Sequence, residues 1–216
     1  YDSSGTYSYS GADSNNFSMN FDGINDYVTI PLTIPQNTGL SFAFWMKGSG
    51  YVLDLSDLGI EHRYFFHNNG YPFAFSVEGV ALASATYTIS TSAPSSSWHY
   101  ITGTIANSGT MSLYIDGNLI GSSGCPAMQY KLNQGGDKFI GNSYNNSHSY
   151  QGSVDDLSIW NVALSQQEIQ QYMNCPPTGT ESGLVGYWNF ETGSGTTAYD
   201  QTSNGNNGTI NGATYN

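Results

Sequence analysis

QGSVDDLSIWNVALSQQEIQQYM, residues 151–173, holds the two readings that decide the fold. Its first half, SVDDLSIW (153–160), is an apolar strand pattern with adjacent carboxylates, Asp155 and Asp156, at its head, and strict alternation puts Asp155, Leu157 and Ile159 on one face and Val154, Asp156, Ser158 and Trp160 on the other. Its second half, LSQQEIQQYM (164–173), is a helix pattern. Ser165 is a good N-cap and Glu168 stands three residues later, which makes a capping box. Leu164 before the cap and Ile169 after it form a hydrophobic staple. Ile169, Tyr172 and Met173 recur at i, i+3, i+4 and give one face to a neighbour. Asn174 ends the helix and Pro176-Pro177 prevent its continuation. One short helix near 164–174, laid against the end of a sheet, is the expectation.

Outward from this stretch the chain reads as strands and turns. FSMNF (17–21) and YVTI (27–30) flank the turn FDGIND. LSFAFWMK (40–47), YVLDL (51–55), HRYFFH (62–67), YPFAFSVE (71–78) and 85–89 follow. WHYITGTI (98–105), MSLYIDG (111–117) running on into NLIGS, and KFIGN (138–142) complete the set before 153–160. Asp116-Gly117 and Asn68-Asn69-Gly70 are hairpin-turn chemistry, because Gly and Asn tolerate positive φ. Short runs with turns between them predict an all-β sandwich rather than alternating strands and helices.

The composition narrows the partners. Four Lys and Arg against 16 Asp and Glu give a formal charge of −12, so the surface cannot neutralise phosphates and nucleic acid is excluded. Anionic headgroups and sulfated polymers are disfavoured for the same reason. No run reaches the roughly 18 apolar residues of a membrane span, so no insertion is expected. A Ser/Thr/Asn/Gly-rich, Lys-poor, acidic β-protein reads as extracellular, secreted or at the cell surface, where a disulfide is permitted. Cys125 and Cys175 are then expected to form one; two buried thiols are the other reading.

After Pro177 the composition shifts. TGTESG is a linker, and LVGYWNFETGSGTTAYDQTSNGNNGTINGATYN follows. Tyr199-Asp200 echoes Tyr1-Asp2, an offset of 198 residues, as if the chain ran from within one repeat into the next. The expected division is a domain over 1–177, then linker and opening segment over 178–216. FDGINDYV (21–28), SFAFWMK (41–47), SWHYITGT (97–104), SLYIDGNLIGS (112–122) and GSVDDLSIWNVALSQQEI (152–169), in that order, resemble the laminin-G-like jelly rolls of the concanavalin A-like superfamily. GSVDDLSIWNVALS also resembles the matching part of pentraxins. LVGYWNF resembles the opening of another such domain, as in tandem repeats of secreted surface proteins of the Bacteroidetes type. The resemblance implies a two-sheet antiparallel jelly roll. It also implies that residues 184–191 fill a strand position missing at the start of the chain, in the same molecule or in a neighbouring copy.

Three kinds of site are open. A carboxylate buried on a strand needs donors, a cation or a metal. With so few cations, Ca²⁺ is the natural neutraliser of Asp155. The resemblance implies Asp155 as a calcium ligand with Asp22 and oxygens near Asn20 or Gly23, and with Asp26 and Asp2 in reserve. The other reading is that Asp155 accepts backbone N–H groups and Asp22 caps a turn. Catalysis has little support. VLDLSDLGIE (52–61) lacks the same-face alternation of carboxylates that glycoside hydrolysis uses, and EHRYFFH reads as strand packing. No nucleophile elbow and no zinc spacing occur. Sugar recognition has more. Asn68 and Tyr71, and Tyr144, Asn145, Asn146, His148 and Tyr150 of NSYNNSHSY, put aromatic rings beside planar amides in exposed loops. The function expected is a non-catalytic extracellular carbohydrate-binding or adhesion module. The runner-up is a structural subunit of a filament built by strand addition through residues 184–216, and a glycan-cleaving enzyme comes third.

Overall fold

A computed structural model describes residues 16–33, 39–56, 62–68, 72–79, 85–92, 96–125, 138–143 and 146–216. In chain order the elements are β1 (Met19–Asp22), β2 (Tyr27–Ile30), β3 (Leu40–Ser56), β4 (His62–His67), β5 (Phe73–Gly79), β6 (Ala85–Thr91), β7 (His99–Ile105), β8 (Thr110–Ile115), β9 (Asn118–Gly124), β10 (Lys138–Ile140), β11 (Tyr150–Trp160), helix α1 (Gln166–Asn174), β12 (Leu184–Trp188), β13 (Thr197–Ala198), β14 (Gly208–Asn211) and β15 (Thr214–Tyr215).

Strand β3 makes the two layers. It is 17 residues long. Its first half pairs with β7 and β11, and its second half pairs with β4 and β10. The first sheet therefore runs β9-β8-β7-β3-β11, with β1 and β12 sharing the far edge of β11. The second runs β6-β5-β4-β3-β10-β2-β14-β13. All these pairings are antiparallel. The bend lies at Gly48-Ser49-Gly50, where Gly48 has φ +133 and Gly50 φ +116. A Cβ on Gly48 would collide with the Gln151 carbonyl oxygen, so only glycine fits there.

Period-two alternation fills the space between the sheets. Phe42, Phe44, Val28, Leu53, Phe66, Phe75, Ile101, Leu113 and Leu157 belong to one core with Trp188. Phe66 stacks on Phe75 with centroids 4.5 Å apart, and Phe44 meets Phe66 edge-on at 5.2 Å. A second cluster lies on the outer side of the first sheet, where Trp45, Tyr100, Trp160 and Tyr187 pack under Leu164, Ile169 and Met173 of the helix region. The helix is capped as the sequence predicts. The Ser165 hydroxyl accepts from the Glu168 N–H at 3.3 Å, and the Ser165 N–H donates to the Glu168 carboxylate at 2.8 Å. Such a cap stabilises a helix by about 1 kcal/mol.

Residues 184–216 are built into this sandwich. Trp188 of β12 stands opposite Leu157 of β11, Ile210 of β14 opposite Val28 of β2, and Tyr215 of β15 opposite Met19 of β1. Within this one chain β12 lies along β11 beside β1. The turn after β13 covers the outer edge of β12. Asp200 accepts the Tyr187 N–H at 3.1 Å, and the Gln201 N–H donates to the Tyr187 carbonyl at 2.7 Å. Tyr1 and Asp2, the other half of the repeat comparison, lie outside the described residues.

Two expectations are corrected by the packing. Cys125 and Cys175 form no disulfide. Cys125 is buried in the core between the sheets, whereas Cys175 is exposed at the C-cap of a helix that covers the opposite face of the first sheet. The strict alternation expected along 153–160 also fails. Asp155 faces Trp45 and Ser158 faces Ala43, so two residues of β11, Asp156 and Leu157, oppose the single Phe44 of β3. This is a β-bulge, with Asp156 at φ +48. Val154 and Leu157 both point into the core. Asp155 and Asp156 therefore stand together on the outer side.

Candidate functional site

The outward residues of the second sheet line up across the strands. Thr209, Thr29, Phe139, Asp54, Phe65, Ser76 and Thr88 form one lateral row, each opposite the next. Ser56, Arg63, Glu78 and Thr86 form the row beside it. Tyr51, His67, Ala74 and Ser90 form a third on the other side. The same pairing that turns Tyr64 and Phe66 into the core turns Arg63, Phe65 and His67 to the other face, where Arg63 and Phe65 are also buried and Tyr51, His67 and His148 are half-buried.

On this face four rings run nearly parallel. Tyr51 stacks with His67 at 4.9 Å, with His148 at 4.6 Å and with Phe65 at 6.0 Å. Phe65 and His67 are 5.1 Å apart. The Arg63 guanidinium lies over both Phe65, at 4.2 Å, and Tyr51, at 5.5 Å, and half-buried His148 stacks on Tyr51 as the terminal ring. Arg63 is fixed in turn. Its Nε donates to Asp54 at 2.8 Å, Nη2 donates to the other Asp54 oxygen, and Glu78 lies 3.8 Å from Nη1. Bidentate geometry holds a guanidinium plane rigidly. Burial lowers the pKa of His67 below its ordinary value, and the Arg63 and His148 charges push the same way. Near neutral pH the His67 ring is therefore uncharged and stacks as an aromatic.

The residues singled out from the sequence are distributed differently. Tyr150 is fully buried, packs edge-on against Phe21 at 5.9 Å and donates its hydroxyl to the Lys47 carbonyl at 2.9 Å. Asn68 is 6 % exposed and ties down the β3 bend, accepting from the Gly50 N–H and donating to the Gly48 carbonyl. Both are corrected from loop ligands to scaffold. Their burial satisfies backbone groups that the bend leaves without partners. His148 joins the ring ladder, and Asn146 is exposed beside it at φ +54. Tyr71, Tyr144 and Asn145 lie outside the described residues, as do Asp57 and Glu61.

The carboxylates named for calcium do not converge. Asp22 pairs with Gln151, four residues along β11 from Asp155 and so about 13 Å away. Ligands of one Ca²⁺ lie about 2.3–2.6 Å from the ion. Asp22 instead accepts the Ile24 N–H at 2.7 Å, and Asp26 accepts the Asp22 N–H at 2.9 Å, which closes the turn between β1 and β2. Asn20 accepts from the Ser153 hydroxyl at 3.3 Å. Asp155 accepts the Asp156 N–H at 2.8 Å, and Asp156 accepts the Tyr187 hydroxyl. Among the described residues no three His, Cys, Asp or Glu side chains gather. The set Asp155, Asp22, Asp26 and Asn20 does not fit one ion.

The sequence profile of the concanavalin A-like lectin/glucanase superfamily, in its laminin-G-like form, matches residues 22–170. The chain belongs to that superfamily. A curated relative, the sushi, von Willebrand factor type A, EGF and pentraxin domain-containing protein 1 of Rattus norvegicus, is 26 % identical over 80 % of the chain. The chain spans only 5 % of that relative's length. Among solved structures, one described as a carbohydrate-binding protein from Bacteroides ovatus superposes with a TM-score of 0.74 at 16 % identity, over 93 % of this chain and 59 % of that one. The SAP-like pentraxin of Limulus polyphemus superposes at 0.59 and 15 % identity, over 76 % and 84 %. At these identities the likeness is one of fold. Like those relatives, this concanavalin A-like domain is an antiparallel β-sandwich. Among its described residues no helix is long and apolar enough to cross a membrane.

Proposed function

We propose that this concanavalin A-like domain is a non-catalytic carbohydrate-binding module that works outside the cell and takes neutral glycans on the outer face of its second sheet. The ladder of Tyr51, Phe65, His67 and His148 carries the reading. Sugar rings present apolar C–H faces to aromatic surfaces and hydroxyls to fixed polar groups, and the Glu78 carboxylate, 34 % exposed and held 3.8 Å from the buried Arg63, stands beside the rings. The net charge of −12 favours an uncharged ligand over an acidic or sulfated one. The carbohydrate-binding protein of B. ovatus, similar in fold, supports the same class.

The carboxylates on this face are poorly placed for hydrolysis. A glycosidase pair flanks its substrate. Here Asp54 is fully buried, and it and Glu78 both serve one guanidinium. Strand addition is less favoured as well, since the edge of β11 is filled from within the chain.

Affinity electrophoresis through gels containing neutral polysaccharides tests the proposal. The full chain should be retarded by at least one of them, and Tyr51→Ala, which removes the ring touching the other three, should run freely while keeping its cooperative thermal transition. Equal retardation of the folded variant, or no retardation on any neutral polysaccharide, rejects it.

A further inference from the structure

On the edge of the first sheet, away from the ring ladder, a groove of about 350 Å³ lies between Thr33, Asn161, Gly183, Leu184, Val185, Asn204 and Asn206. Its walls are amides and a hydroxyl, and its floor is the backbone of β12. One carbonyl organises it. The Nδ2 groups of Asn204 and Asn206 both donate to the Val185 oxygen, at 2.9 and 3.0 Å. Each amide is thereby held with its Oδ1 turned away from the strand, and among the described residues neither Oδ1 receives a hydrogen bond. The Asn161 N–H donates to the Gly183 carbonyl at 2.8 Å, while its side-chain amide is committed to no described residue. Gly183, at φ +86, keeps the floor low, since a Cβ there would stand 3.1 Å from Asn161 Oδ1.

We infer that this groove is a second binding site, for an uncharged polyhydroxylated ligand of the neutral saccharide class. Two pre-oriented carbonyl oxygens seek hydroxyl donors and repel carboxylate, phosphate or sulfate oxygens. Asn161 adds a group that both donates and accepts, as a sugar hydroxyl does. Leu184 and Val185 are buried, one in each apolar cluster, so the groove meets mainly their backbone and its recognition rests on the three amides and the Thr33 hydroxyl. No charged side chain lines the groove. The volume is at the small end of the roughly 300–1,000 Å³ of small-molecule sites, which suits a short stretch of chain. Holding two amides in place before binding lowers the ordering cost. The site stands on its own residues and does not depend on the ring ladder.

The test is a titration of the ¹⁵N-labelled full chain with cellotetraose, maltotetraose, xylotetraose and mannotetraose, and with tetragalacturonate as the charged control. The side-chain amide signals of Asn161, Asn204 and Asn206 are followed beside the ring signals of Tyr51 and His148. At least one neutral tetrasaccharide should shift the three amides saturably, and tetragalacturonate should not. Asn161→Trp, which fills the groove without removing a described hydrogen bond, should weaken that response at least tenfold. Tyr51→Ala should leave it in place. Amides that stay still while the ring signals move overturn the groove and leave the ring face standing. Amides that respond equally in Asn161→Trp, or equally to tetragalacturonate, overturn it as well. Silence everywhere overturns both sites.

Discussion

Arg63→Met should be among the most destabilising single substitutions on the second sheet. The guanidinium makes two bonds to an Asp54 carboxylate whose side chain is fully buried, and its own side chain is only 10 % exposed. Methionine keeps an unbranched side chain against the Phe65 ring but leaves Asp54 without its counter-charge. Removing one partner of a buried ion pair costs about 3–5 kcal/mol. The Ser56 hydroxyl, 3.2 Å from Asp54, cannot replace a full charge. For a domain of this size each kcal/mol shifts Tm by about 2–4 °C, so the transition should fall by roughly 6–20 °C. Asp54→Leu combined with Arg63→Met removes both charges and should recover most of the loss, because the desolvation cost disappears with the pair. Urea unfolding at pH 7, at low and at high salt, reads the cycle. A screened surface pair would weaken with salt, whereas this one should not. A single variant costing less than about 1 kcal/mol, or a loss that vanishes in high salt, would show that the pair behaves as an exposed one.

Three further outcomes follow from the same structure. A thiol reagent should label Cys175 in the folded chain and reach Cys125 only on unfolding, and reducing agent should leave Tm unchanged; a reductant-sensitive Tm would restore the disulfide. Ser165→Ala should cost about 1 kcal/mol. The Ser165 hydroxyl, then its N–H, hold the Glu168 carboxyl below its ordinary value of 4.5, so the stabilisation is complete above that pH and is lost as the pH falls through the lowered pKa. The variant's stability should therefore depend less on pH in that acid range, and an unchanged acid profile would contradict the cap. Asn68→Ala should destabilise by about 1–3 kcal/mol through the freed Gly50 and Gly48 backbone groups, read by thermal unfolding; a neutral result would mean the β3 bend holds itself.

The helix was legible because its signals are local. A cap, a glutamate three residues on and an apolar stripe at 3.6 spacing all sit within ten residues. The strands were legible as elements, and the resemblance ordered them. Asp155 and Asp156 were not placed correctly, because period-two reasoning cannot see one inserted residue. Asn68 and Tyr150 looked like loop ligands, because a buried residue that satisfies backbone groups has the same letters as an exposed one. The ring ladder was half visible. HRYFFH carries aromatics on both faces, so its alternation does not say which face is outward. That Asp54 lies opposite Phe65, and Tyr51 opposite His67, comes only from the register between strands. Cys125 and Cys175 were paired by compartment alone, and the helix that carries Cys175 to the far side of the first sheet broke the pairing.

The neutral-glycan face is best tried by following the ring signals of Tyr51, His67 and His148 in the full chain while a retarding neutral polysaccharide's own oligosaccharide is added at pH 7.5. The ladder predicts saturable shifts confined to these rings and their neighbours on the second sheet, and their loss in His148→Ala, which removes the terminal ring. Binding that leaves all three rings unmoved would place the sugar elsewhere and contradict the function proposed for this face.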